Sequence, residues 1–255
     1  MYFPYVGITD FMNFEQVEKM LAVFKAHLQP RSKRKLHVGV MMSYKTLHGL
    51  ETKWSKAFPP KEAIAGIFGS DDVYNCLHYA DYGRTSGYLD LAKAISFGGI
   101  GIHALQLDMI WPEPGDISGG VHTSRKQIEV ILQIGKKAIE EADNDPEEVV
   151  CRLEEYAGVI DRVLLDRSMG QGIGMDADFL LPFIRTIKRV LPYLGLGVAG
   201  GLGPGTMGLV EPLVKEFPDV SIDAQGRLRS SGSALDPVDW EIAEKYLVEA
   251  LKLLR

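Results

Sequence analysis

The chain is poor in several features that would announce a class. Two cysteines among 255 residues, Cys76 and Cys151, give neither a disulfide framework nor zinc spacing. No stretch has the length of a membrane span, and the N-terminus lacks a charged-then-apolar leader. Basic charge is not in excess: the formal net charge is −6, against the concentrated cationic surface that a phosphate backbone needs. The basic run from Arg31 to Lys35 reads as a solvated loop ahead of a strand. Neither His48 nor His122 has a partner at metal-ligand spacing, no HxH occurs, and no GxGxxG follows the first strand. No linker or low-complexity tract divides the chain. These absences predict a cytoplasmic protein with no nucleic-acid or membrane partner, and they call for no metal and no cofactor.

What is present is an ordinary globular balance, 46% hydrophobic and 24% charged, arranged as short apolar runs alternating with helical periodicity. Strands are expected at 5–9 (YVGIT), 36–42, 73–79, 103–109, 129–134, 162–165, 196–199 and 220–223. Helices are expected at 14–27, 60–68 and 88–97, from Pro146 to Tyr156, from Asp176 through Val190, and from Asp236 or Pro237 to Leu254. Ser43 to Pro59 reads as a long loop that leaves open whether it closes as a lid, and Ile110 to Lys126 as another, with at most a turn or two of helix. Eight strands, nearly every one followed by a helix, imply a parallel sheet that closes into a single-domain (β/α)₈ barrel over residues 1–255.

In such barrels the chemistry sits where strands end at their C-terminal side. Asp10 follows strand one, Ser43 and Lys45 strand two, and His78 and Asp81 strand three. Asp108 follows strand four, Lys136 strand five, Asp166 and Arg167 strand six. Asp166, Asp108 and Asp10 are the candidate acid–base groups, because carboxylates converging in a closed mouth can be pushed to different pKa values. A turn capping role competes for Asp10 and Asp108. Lys45, Lys136 and Arg167 are candidates for the anionic end of a substrate. His37, His78 and His103, inside apolar strands, read as core residues. After strand seven the chain reads AGGLGPG; Gly200, Gly201 and Gly203 fit either a sharp turn or a cradle of main-chain amides for phosphate at the start of a helix. Gln225 and Gly226 form the tight turn after strand eight.

Taken together, these pieces resemble phosphoribosylanthranilate isomerase. Gly7-Ile8-Thr9 is similar to that family's GIT, Ala104 to Leu107 to its fourth strand, and Val163 to Asp166 to its LLD. Ala199 to Pro204 matches its AGGL-x-P phosphate turn, and Asp223 to Gly226 falls at its second phosphate turn. The resemblance implies phosphate contacts at Gly200, Gly201, Gly203, Gln225 and Gly226, and a general acid at Asp166. The family's cysteine base is matched by Val6, and the histidine after its fourth strand by Asp108. The expectation is therefore a barrel enzyme for a small phosphorylated substrate, acting by proton transfer beside a carbonyl or imine rather than as that isomerase. The alternatives are a phosphate-ligand binder without chemistry and an aldolase or lyase, with Lys136 as the amine. The oligomeric state stays open.

Overall fold

The computed structural model describes residues 2–166 and 174–254. Eight parallel strands pair in sequence order, and the eighth returns to the first to close a barrel. They are β1 (Tyr5–Thr9), β2 (Lys35–Ser43), β3 (Tyr74–Asp81), β4 (Ala104–Met109), β5 (Glu129–Gly135), β6 (Arg162–Asp166), β7 (Gly195–Ala199) and β8 (Ser221–Ala224). Among the described residues the surrounding helices are α1 (Phe14–His27), α2 (Tyr44–Leu47), α3 (Ile64–Ile67), α4 (Tyr88–Phe97), α5 (Pro114–Ser124), α6 (Lys136–Glu141), α7 (Pro146–Glu154), α8 (Ala177–Val190), α9 (Glu211–Glu216) and α10 (Trp240–Leu253). None is long and apolar enough to cross a membrane.

Alternation along each strand separates two cores. Val6, Ile8, Val38, Val40, Leu105, Leu107, Val163 and Leu165 join the helices in one continuous aliphatic layer. The opposite face points at the barrel axis, where the apolar cluster is small: Tyr5, Tyr74, Cys76, Ala104, Ile131, Leu164 and Ala199. Branched aliphatic residues dominate the interior of most such barrels. Here much of the interior is polar, with His37, His78, Gln106, Gln133, Arg162 and Asp223 all buried. Gly7 makes room for this, since a Cβ there would lie 2.4 Å from Asp223 Oδ1 and 3.0 Å from His37 Nδ1.

Several expectations change. The segment expected to be a loop between Ile110 and Lys126 holds an eleven-residue helix, α5, with Pro114 in its first turn and Arg125 in the left-handed region at its end. Its glycines, poor helix formers in isolation, let α5 press against α4. A Cβ on Gly120 would meet Leu91 Cβ at 2.7 Å, and one on Gly119 would meet Tyr88 Cβ at 3.1 Å. The long loop after β2 opens with a helical turn, α2, because the Ser43 hydroxyl accepts the Thr46 amide and Thr46 Oγ1 accepts the Ser43 amide. The expected helix at 60–68 is a 3₁₀ turn, Lys61–Ala63, running into α3. The last helix begins later than expected, at Trp240, capped by Asp239.

Candidate active site at the barrel mouth

The C-terminal ends of the strands open into a cavity of ≈ 1440 Å³ whose floor carries His78, Asp108, Gln133 and Asp166. These four share one facing on β3, β4, β5 and β6, and the loop after β2 walls the other side with Tyr44, Trp54 and Phe58. The Asp108 carboxylate accepts a short hydrogen bond from the Tyr82 hydroxyl and lies 3.9 Å from His78 Nε2. Burial pushes the Asp108 carboxyl up to about 7; the Tyr82 hydrogen bond opposes this and the Asp166 charge adds to it. Burial pulls His78 down to about 4, so at neutral pH its ring is uncharged. A chain of amides ties the floor together. Gln106 Nε2 lies 3.3 Å from His78 Nδ1 and donates to Gln133 Oε1 at 2.9 Å, while Gln133 Nε2 donates to Asp166 Oδ2 at 3.4 Å.

Deeper in lies a pocket of ≈ 20 Å³, bounded by His78, Gln133, Asp166, Gly200, Gly201, Asp223, Gln225 and Gly226. That volume suits one water molecule. A phosphate or sulfate is larger than this, so binding one here requires the turns after β7 and β8 to move outward. Gly200 and Gly201 hold φ of 119° and 63°, values that favour glycine. Among the described residues, nothing accepts a hydrogen bond from the amides of Gly200, Gly201 or Gly226. The amide of Gly205, further along, donates to Glu249 Oε2 at 2.9 Å. The turn does not start a helix, as the sequence had suggested. It continues into a 3₁₀ turn, Met207–Leu209, and the six residues of α9, so any anion grip here consists of loop amides.

Of the residues singled out by position, Asp108, Asp166, Lys45 and Gln225 line the large cavity, and Gly200, Gly201 and Gly226 the small pocket. Gly203 borders neither; a Cβ there would lie 2.9 Å from Arg227 Cβ, so its bareness lets two loops pack. Asp10 also lines neither. Its carboxylate forms a short, buried ion pair with Arg229 and accepts from Gln225 Nε2 at 3.2 Å, which holds the residue at φ 90°. Lys136 is exposed outside the cavity and pairs with Glu140 at 3.7 Å. Arg167 lies outside the described residues. Val6 packs in the sheet–helix layer, whereas Gly7 and Thr9 face the axis, so residue 6 does not reach the mouth. His78 was placed at the end of strand three but read as core, and Gln106, Gln133 and Tyr82 were missed. The available signal was parity, because His78 sits two residues after Cys76 on the inward face of β3, and Gln106 two before Asp108 on β4.

Fold and mouth together define a (β/α)₈ barrel with an acidic, water-accessible C-terminal floor. No protein-family model matches the chain, and no curated protein matches it in sequence. Among solved structures, a monomeric form of the dimeric phosphoribosylanthranilate isomerase from Thermotoga maritima is similar over 97% of this chain and 99% of that one, with TM-score 0.59 at 14% identity. TrpF from Jonesia denitrificans gives 0.56 at 14% identity, over 99% of this chain and 100% of that one. A truncated 3-deoxy-D-arabino-heptulosonate 7-phosphate synthase from Thermotoga maritima gives 0.53 at 15% identity, over 99% and 86%. The fold is that of these barrel enzymes.

Proposed function

We propose that the protein is an enzyme that moves a proton on a small phosphorylated substrate held at the barrel mouth. One observation carries this reading: the Asp108 carboxyl, largely buried on the cavity floor, sits against the Tyr82 hydroxyl and beside an uncharged His78. A carboxyl held near 7 is present in both protonation states at neutral pH, which suits a general acid–base group. Asp166, tied through the Gln133 and Gln106 amides to His78 beside Asp108, is the second carboxylate at the mouth. The amides of Gly200, Gly201 and Gly226, which have no acceptor among the described residues, supply the anion grip, and Lys45 lines the mouth above. The names of the similar barrels cover an isomerase and a synthase, so the fold does not select the reaction. A reducing, cytoplasmic setting suits the two free cysteines, Cys76 and Cys151.

The test is a thermal-shift screen of sugar phosphates, followed by proton NMR of the stabilising compounds in deuterated water. The reading expects enzyme-dependent exchange of a carbon-bound hydrogen, lost in Asp108→Asn while stabilisation by the ligand persists. Stabilisation without exchange or turnover in the native protein would instead identify a binder. An imine route through Lys136 finds less support, because Lys136 stands outside the cavity.

A further inference from the structure

The strand-seven turn offers amides to an anion, yet the pocket they border also contains Asp166 and Asp223. Asp223 is 4% exposed. Its Oδ2 accepts from Thr9 Oγ1 at 2.9 Å, and its enclosed Oδ1 has no hydrogen-bond partner among the described residues. The nearest ring nitrogen, His37 Nδ1, is 4.0 Å away, too far for a direct bond, and is itself unpartnered. Other ionisable groups act on it from every side: Tyr5 and Asp10 from β1 and its end, Cys76 from β3, Asp166 from β6, and Tyr246 from α10, with His78 across the pocket. Burial pulls His37 down to about 3 and His78 to about 4, and pushes Tyr5, Cys76 and Tyr246 upward, so none of them supplies positive charge at neutral pH. The Arg229 guanidinium is engaged by Asp10.

We propose that Asp223 is a ligand of the bound anion that acts as the neutral acid, so that anion uptake at the strand-seven turn brings a proton with it. The proposal rests on reading that turn as an anion grip. An ionised Asp223 would place a second carboxylate beside Asp166 and repel the ligand; the neutral acid removes that charge and adds an O–H donor to the amides of Gly200 and Gly201. Burial already holds Asp223 up to about 7, with the Thr9 hydrogen bond opposing and the charges of Asp166 and Asp10 adding to the shift.

Inorganic sulfate is the probe, because it stays a dianion across the neutral range and adds no titration of its own. Between about pH 6 and about pH 8, wild-type affinity is expected to fall about tenfold more than that of Asp223→Asn, which keeps a donor and cannot ionise. Equal slopes in the two proteins would overturn the role of Asp223 and leave the grip standing. No sulfate binding by the folded wild type at any pH would overturn both. If the variant does not fold, calorimetry of the wild type in two buffers of different ionisation enthalpy replaces it. Uptake of about one proton per sulfate near pH 8 supports the proposal, and zero uptake overturns it.

Discussion

The two ends of the barrel both bury charge, and they treat it in opposite ways. At the N-terminal end, Arg162 Nε meets Glu129 Oε2 at 2.6 Å, Nη1 reaches the Phe3 carbonyl at 2.9 Å, and the guanidinium lies within 4.8–5.8 Å of the rings of Tyr2, Phe3, Tyr5 and Tyr74. Tyr74 also donates to Glu129, so this charge is neutralised, hydrogen-bonded and stacked. At the C-terminal end Asp10 is paired with Arg229, but Asp108 and Asp223, both largely buried, have hydroxyl partners and no cation partner among the described residues. An ion pair held by hydrogen bonds and stacked rings holds a fold together. A carboxyl left without its counter-ion costs stability when ionised, and that cost marks a group kept for proton transfer or ligand binding.

The comparison breaks most sharply by substitution. Asp108→Asn should lower turnover on the substrate found by screening about 10²- to 10⁴-fold, with binding retained, as kcat and KM would report separately. Arg162→Ala should instead destabilise by about 3 kcal/mol in urea melts, because Glu129 is left beside a vacated charge, with turnover per folded molecule kept. Asp10→Asn should behave like Arg162→Ala, since Arg229 is then buried without its carboxylate. If Asp10→Asn abolished turnover without loss of stability, Asp10 would belong with Asp108.

A pH series sharpens the same contrast. The folded Asp108 carboxyl sits above its unfolded value, so its stabilising contribution is present below about pH 4 and is lost as pH rises through about 7. Asp108→Asn should therefore melt higher than wild type at pH 8 and about level with it at pH 4. His37 and His78 act with the opposite sign, losing stability as pH falls from 6.5 toward about 3 and about 4; the difference between wild type and variant removes their contribution. The smallest effect is Gly201→Ala, which places a side chain at φ 63° and should cost about 1 kcal/mol together with weaker sulfate binding.

The barrel was legible because β-branched and apolar runs, each followed by 3.6-residue periodicity, repeat eight times, and the strand ends then located Asp108 and Asp166. Helix α5 was not legible, because its glycines carry a tertiary signal, close approach to α4, that reads as a helix breaker in one dimension. Asp10 and Asp108 look alike in sequence, each just past or at a strand end. They part only through Arg229, which lies 219 residues from Asp10. His78 was read as core because its strand is apolar on average; its inward parity sets it on the floor instead. Position along a strand is readable locally, whereas the presence or absence of a counter-ion depends on contacts between distant segments.

The ionisation of one carboxyl decides most directly whether the mouth holds an acid–base group. Carbon NMR of the full chain, labelled at aspartate carboxyls and assigned by loss of the signal in Asp108→Asn, should show Asp108 titrating with a midpoint of about 7. A midpoint in the ordinary carboxylate range would show that the mouth compensates its charge as the opposite end does, and would contradict the assignment of Asp108 as the acid–base group.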